Sequence, residues 1–163
     1  MVPGAVSVHQ GACHLWRTDC IWRNERRNME VITEYLGKTK FAVSTRGHRV
    51  ICDQPVANRG EDAGMSPPEF LLAALGSCAG YYAAEYLNTR GLPSKDLIVR
   101  VTAEKERNPA RLDSFRIEVS APGLDEQHRA GVLRAVKACL IHNTLLSSPR
   151  IEFEVDSAVP TPA

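Results

Sequence analysis

The chain has 163 residues, 44% hydrophobic and 24% charged, which is typical of one soluble globular domain with its own core. Its 20 basic and 19 acidic residues give a net charge of +1, which argues against a nucleic-acid-binding protein that relies on positive charge. The longest apolar run, residues 70–84, is too short to span a bilayer, and the first residues lack the pattern of a signal peptide. We therefore predict a cytoplasmic protein with neither a nucleic-acid nor a membrane partner.

Residues 1–28 show no persistent helical or strand period, and we interpret them as a poorly ordered N-terminal extension before a compact domain at residues 29–156. Cys13, His14 and Cys20 lie in this extension without the paired C-x-x-C spacing of a zinc site, so no metal is predicted. The chain has five cysteines in all, an odd and widely spaced set. This pattern favours free thiols or one functional pair over a secreted disulfide framework.

The compact domain begins with strands. Apolar and polar residues alternate over residues 30–36, 41–45 and 49–52, with short turns between them, and this pattern predicts an antiparallel meander. Cys52 is interpreted as a packed strand residue, because a free cysteine behaves as a small hydrophobe. Residues 54–65 contain one proline and two glycines and are predicted to form a mobile loop.

A long helix is predicted over residues 66–91. Ser66 is a suitable N-cap, a proline occupies the first helical position, and Glu69 completes a capping box. Gly91 ends the helix. Because residues 70–84 are almost entirely apolar, we expect this helix to be buried all round, which a small monomer achieves poorly. A homodimer is therefore predicted.

Three more strands are predicted in the second half of the domain. Strands at residues 97–103 and 115–119 are joined by a hairpin loop at residues 108–113. Alternation over residues 151–155 predicts a last strand. Residues 157–163 contain two prolines and no core positions, and they are predicted to form a C-terminal tail.

Two further helical segments complete the prediction. A helix begins at or just before Asp125, has apolar residues near i, i+3 and i+4 spacing, and carries Cys139 near its end. Residues 139–146 are predicted to bend into a short helical piece. Runs of strands separated by single helices predict an α+β fold with mostly antiparallel sheets.

Cys78 and Cys139 are the two thiols placed on helices. A thiol needs a nearby cation or a helix N-terminus to become a nucleophile, and Cys78 lies too deep inside its helix for the macrodipole to help. Small neighbours on both sides leave room around Cys78 for a second thiol. These residues alone fit both two core cysteines and a reactive pair.

Two segments resemble the OsmC/Ohr family: residues 67–78, Pro-Pro-Glu-Phe-Leu-Leu-Ala-Ala-Leu-Gly-Ser-Cys, and residues 137–145, Lys-Ala-Cys-Leu-Ile-His-Asn-Thr-Leu. The resemblance covers residues 29–156 and implies an OsmC-like fold, an intertwined homodimer whose antiparallel sheets wrap around two central helices. It also implies reduction of organic hydroperoxides, in which Cys78 attacks and becomes a sulfenic acid and Cys139 resolves it as a disulfide. A dithiol reductant of the lipoyl or thioredoxin-like type would restore both thiols, and no cofactor is implied.

Departures from the family pattern indicate a divergent branch. The peroxidase members carry an arginine in the first hairpin, where this chain has Lys38, and Arg46 falls one hairpin later. They also carry a glutamate ten residues before the attacking cysteine, a position held here by Pro68. Glu69 follows one residue after that position. At about 100° per residue it lies near the helix face opposite Cys78, and we interpret it as a helix cap. Lys38, Arg46, Glu69 and His142 remain candidates to support the thiolate or the substrate.

Two other functions fit the same residues. A thiol redox or sensing protein would form a reversible disulfide without fast peroxide reduction, which suits the loss of the family arginine and glutamate. A binding protein would hold a small lipid-like ligand in an apolar dimer cleft, lined by Phe70, Leu71, Leu75 and Tyr82. In either redox function, His142 would deprotonate or orient a thiol, or else serve as a hydrogen-bonded structural histidine.

Overall fold

A computed structural model describes residues 29–156 of the chain. It shows the predicted α+β fold, with three helices and two antiparallel sheets among these residues. In chain order the elements are β1 (Ile32–Gly37), β2 (Lys40–Thr45), β3 (His48–Cys52), α1 (Pro67–Asn88), β4 (Ile98–Arg107), β5 (Ala110–Ser120), α2 (Glu126–Lys137) and α3 (Leu140–Leu146). The predictions for residues 1–28 and 157–163 lie outside the described residues.

The predicted meander is confirmed as a sheet in the order β1-β2-β3, with Val43 opposite both Thr33 and Val50. Arg46 and Gly47 join β2 to β3 with φ angles of 47° and 82°. Two successive positive φ angles are typical of a type I′ turn, whose twist matches that of the flanking strands. Glycine accommodates this conformation without steric cost.

The long helix α1 has the predicted start and a slightly earlier end. Ser66 is its N-cap, and the Glu69 carboxylate accepts hydrogen bonds from the Ser66 backbone N–H and hydroxyl, both at 2.7 Å. These contacts satisfy donors that the first turn of a helix leaves unpaired. The helix ends at Asn88, and Gly91 follows with a φ of 65°.

The hairpin β4–β5 is longer than predicted. The expected loop at residues 108–113 is a tight turn at residues 108–109, and both strands run up to it. The extra strand residues are mostly charged, including Lys105 paired with Leu112 and Glu106 paired with Arg111. A two-stranded ribbon in solvent does not need an apolar face, so the alternation that marks a half-buried strand is missing here.

The last predicted strand is wrong for the described chain, because residues 151–156 form no strand there. Ile151, Phe153 and Val155 are 67%, 92% and 97% exposed. An alternating apolar pattern gives a segment strand propensity, but a strand also needs a neighbour to receive its backbone hydrogen bonds. No strand of residues 29–150 is placed to do so.

The core lies between α1, α2 and the β4–β5 sheet. Ala79, Ala83 and Leu87 on α1 pack against Val132 and Val136 on α2. Among the described residues, the three-stranded sheet does not pack extensively against any of the helices.

The face of α1 that carries the core residues is buried, but the opposite face, with Tyr81 48% exposed, is open in this single chain, and burial all round stays a prediction for the homodimer. A core on one side cannot cover a helix that is apolar on every side. None of the helices described is long and apolar enough to cross a bilayer.

Candidate functional site

Cys78 lies in the middle of α1 and is half-buried. Gly76 and Gly80 flank it and face β4. A Cβ at Gly76 would lie 3.1 Å from Val101 Cγ2, and one at Gly80 would lie 3.5 Å from Val99 Cγ2. The small residues therefore allow α1 to lie close against the strand.

Cys139 is fully buried at the junction of α2 and α3. It was expected near the end of the second helix, but α2 ends at Lys137 and Cys139 is the N-cap of α3. The backbone N–H groups of Ile141 and His142 lie near its sulfur and act to lower its pKa. The chain turns at Ala138 because Cys139 N–H bonds back to Val136, which closes one helix before the next begins.

The structure places the two predicted thiols near each other. Both are free thiols, and the Cys78 side chain is close enough to affect the pKa of Cys139. Burial raises the pKa of Cys139 most, and the Cys78 side chain raises it further. The raised pKa keeps Cys139 protonated at neutral pH.

His142 lies beside this pair on the first turn of α3. The residue is half-buried, and its Nδ1 is a buried polar atom for which the described chain offers no hydrogen-bond partner. The expected structural histidine would have had such a partner. Its side chain lines a groove whose lining residues include neither Cys78 nor Cys139.

The groove is open and mostly apolar, with a volume of about 1410 Å³. Its walls come from α1, β5, α2 and α3, and it is lined by, among others, Leu71, Leu75, Ile117, Val136, His142 and Leu145. Leu71 and Leu75 are therefore placed as expected for an apolar cleft. Phe70 and Tyr82 do not line it.

The candidate charged residues lie elsewhere. Lys38 and Lys40 both form ion pairs with Glu61, which hold the pKa of the Glu61 carboxyl below its usual value. Arg46 is exposed at the β2–β3 turn, and Glu69 caps α1. Within residues 29–156 none of these side chains forms a hydrogen bond with Cys78 or Cys139.

Asp53 was missed by the sequence analysis. It is fully buried directly after β3 and accepts four hydrogen bonds, from Thr39 Oγ1 at 2.6 Å and from the backbone N–H groups of Gln54, Glu61 and Ala63 at 2.8, 2.9 and 3.1 Å. The Thr39 hydrogen bond contributes most to holding the pKa of Asp53 far below its usual value. An aspartate that ends a strand before a Pro/Gly loop is a turn signal, but it does not reveal donors ten residues away.

The segment at residues 54–65, predicted as a mobile loop, is folded around this carboxylate. It contains a short 3₁₀ turn at Val56–Asn58. A Cβ at Gly60 would lie 1.7 Å from the Gln54 carbonyl oxygen, so the backbone passes too closely for any other residue. The loop connects β3 to the start of α1 and fixes the entry of the helix that carries Cys78. Within residues 29–156, no three side chains of the metal-binding types converge on one point.

Comparisons with known proteins agree with this fold. A family model described as OsmC-like protein matches residues 60–154. An OsmC-like protein from Mycoplasma pneumoniae is 20% identical, with a TM-score of 0.63 over 76% of this chain and 91% of that chain. A hypothetical protein from Aquifex aeolicus is 22% identical, with a TM-score of 0.61 over 75% and 89%. An organic hydroperoxide resistance protein from Legionella pneumophila is 12% identical, with a TM-score of 0.54 over 74% and 90%. No curated protein sequence matches significantly.

Proposed function

Because this chain belongs to the OsmC-like protein family, we propose that it reduces organic hydroperoxides with Cys78 and Cys139 as a redox pair. The observation that supports the proposal is the proximity of the two thiols, one half-buried and one fully buried, with the Cys78 side chain raising the pKa of Cys139. One fold neighbour, at 12% identity, is an organic hydroperoxide resistance protein. A redox or stress-response role is thus in line with both the family and the site.

The chemistry follows the oxidation of a thiolate by a peroxide. The Cys78 thiolate attacks the terminal oxygen of the hydroperoxide, the O–O bond breaks, and the alkoxide leaves as an alcohol after taking a proton. Cys78 becomes a sulfenic acid. The Cys139 sulfur then attacks the Cys78 sulfur, forming a disulfide and releasing water. An external dithiol, of the lipoyl or thioredoxin-like type, reduces the disulfide by exchange.

The placement of the two sulfurs supports this division of roles. Cys78 is the thiol that a substrate reaches, because Cys139 is fully buried. The Cys78 side chain is close enough to raise the pKa of Cys139, which suits disulfide formation between the two. The apolar groove lined by Leu75 and His142 offers room for the organic part of a hydroperoxide.

We also propose that the working unit is a homodimer. Apolar side chains are exposed on the first sheet, on the free face of α1 and along residues 151–155: Ile32, Tyr35, Val50, Tyr81, Phe153 and Val155. Exposed apolar area on this scale marks an interaction surface, and a second copy of the chain offers complementary surfaces of the same kind.

The test is turnover of cumene hydroperoxide in the presence of reduced lipoamide. We expect the wild type to consume peroxide catalytically, Cys78→Ser to lose activity, and Cys139→Ser to consume about one peroxide per chain and then stop. Cys52→Ala is the matched control, because Cys52 is buried on β3 and is not bonded to either thiol. An active Cys78→Ser variant, or no consumption by the wild type, contradicts the proposal.

A thiol redox or sensing function without fast turnover is the second candidate. It is favoured by the pairing of Lys38 and Lys40 with Glu61, since this pairing occupies the cations of the first hairpin. Such a protein forms the same disulfide, but its reaction with peroxide is slow and does not saturate. Initial rates over a range of peroxide concentrations separate the two functions.

A further inference from the structure

His142 carries an unexplained polar atom next to the thiol pair. Within residues 29–156 its Nδ1 is buried and has no hydrogen-bond partner. A buried nitrogen without a partner costs free energy, and native proteins keep few of them. Nδ1 is therefore expected to gain a hydrogen-bond partner at a stage of the reaction other than the resting state.

The position of His142 relates it to Cys139. Cys139 is the N-cap of α3 and His142 is the third helical residue, whose backbone N–H acts to lower the pKa of Cys139. The N-cap and third-residue side chains of a helix lie side by side, as in a capping box. His142 also lines the open groove, whereas Cys139 does not.

Cys139 needs a proton acceptor during the reaction. It is fully buried and protonated at rest, whereas the attacking species in disulfide formation is a thiolate. The backbone N–H groups at Cys139 stabilise a thiolate but cannot accept a proton. A neutral imidazole nitrogen is the acceptor that this part of the chain supplies.

We propose that His142 Nδ1 accepts the Cys139 proton in the disulfide-forming step. The proton moves from Cys139 Sγ to Nδ1, the Cys139 sulfur bonds to the Cys78 sulfur, and the S–O bond of the sulfenic acid breaks. The leaving hydroxide takes a proton from the imidazolium and departs as water. Atoms and charges balance, and the oxidising equivalents come from the hydroperoxide. The sulfenic acid itself rests on the proposed function, but the proton transfer does not.

Other titratable groups surround the same groove and must be considered in any pH profile. They are Asp113 on β5 and Glu126, Arg129 and Lys137 on α2. Glu126 and Arg129 are paired with each other at 3.6 Å.

The experiment uses a thiolate leaving group, which departs without taking up a proton. The rate of its release therefore reports only the loss of the proton from Cys139. In the full chain with Cys13→Ser, Cys20→Ser and Cys52→Ala, Cys78 is labelled with 5-thio-2-nitrobenzoate as a mixed disulfide. Attack by Cys139 releases the coloured thiolate, which stopped-flow absorbance records. We expect His142→Asn to slow this release by roughly 100-fold near neutral pH, the scale of general-base catalysis.

His128→Asn is the matched control, because His128 has a partner in Tyr86 at 3.2 Å and lies at the start of α2. Release from His142→Asn within about twofold of the control overturns the proposal. If His142→Asn fails to fold by circular dichroism, His142→Gln and the wild-type pH profile decide. The wild-type rate must rise between about pH 5 and 8, where imidazoles titrate, and then level off. A rate that climbs steadily to about pH 9 refutes the transfer.

The outcomes separate this proposal from the peroxidase function. Slowed release by His142→Asn in a protein that ignores cumene hydroperoxide supports the proton transfer and removes the peroxidase. Normal release by His142→Asn in a protein that turns over peroxide refutes the proton transfer and supports the peroxidase function. A Cys78 that takes no label contradicts both.

Discussion

Replacing Gly131 by alanine should separate α2 from α1, the helix pair that sets the position of Cys139. A Cβ at Gly131 would lie 1.9 Å from the Tyr86 hydroxyl oxygen and 2.2 Å from Tyr86 Cζ. Ordinary contact distances are about 3.5 Å, so the ring must withdraw by about 1.5 Å. Tyr86 is buried and also bonds to His128, which leaves it little room to do so.

The expected loss of stability is about 2 kcal/mol. Overpacking costs about 1–3 kcal/mol, and loss of the Tyr86–His128 hydrogen bond costs about 1 kcal/mol. Alanine returns about 1 kcal/mol of helix propensity relative to glycine. The thermal midpoint should fall by roughly 4–8 °C.

Gly131 lies six residues before the end of α2 at Lys137, about 9 Å along the axis. A displaced α2 should therefore also slow disulfide formation between Cys78 and Cys139. Differential scanning calorimetry and urea unfolding measure the stability, and the matched control is Gly80→Ala. A Cβ at Gly80 meets Val99 at an ordinary 3.5 Å, so this variant should be neutral or slightly stabilised. An unchanged or raised midpoint for Gly131→Ala would refute the packing argument.

Two further predictions concern the loop and the exposed apolar surfaces. The pKa of Asp53 is lowered on folding, so its contribution to stability is complete above about pH 5 and is lost as the pH falls further. Asp53→Asn should therefore be less stable than the wild type at neutral pH and should converge with it in acid, as urea unfolding at several pH values will measure; parallel curves would contradict this. Phe153→Asp should lower the dimer fraction in sedimentation equilibrium, whereas Glu154→Asp should not. A wild type that is monomeric at every concentration would remove the proposed interface.

Local chemistry made the main elements predictable from the sequence. Ser66 and Glu69 mark the start of α1 through backbone donors that lie within one turn, so no distant residue is needed. The β1–β3 meander follows from alternation and from a turn of Arg46 and Gly47 whose backbone few other pairs adopt. The motifs around Cys78 and Cys139 pointed to the family that the comparisons then showed.

The remaining features depend on contacts between segments far apart in sequence. Asp53 has its donors at Thr39, Glu61 and Ala63, and no local pattern announces that these will converge on a carboxylate. The segment around Phe153 has a strand's alternation, but without a neighbouring strand it forms none in residues 29–156.

The close approach of the two sulfurs was implied by the family resemblance, but the spacing of the residues alone did not show it. Cys78 and Cys139 were placed on separate helices, and their meeting requires α1 and α2 to pack closely. That packing depends on the absence of a side chain at Gly131, where Tyr86 fills the space. Residue spacing also could not show that Nδ1 of His142 lacks a hydrogen-bond partner within residues 29–156, because this depends on which groups the fold brings near it.

The central claim is that Cys78 and Cys139 form a redox pair, and its most direct test is peptide mapping after oxidation. The reduced full chain is treated with about one equivalent of cumene hydroperoxide, alkylated, digested without reduction and analysed by mass spectrometry. The account predicts a disulfide that links the Cys78 peptide to the Cys139 peptide, with Cys52 recovered as an alkylated thiol. Recovery of both Cys78 and Cys139 as free thiols, or a disulfide that involves Cys52 instead, would contradict it.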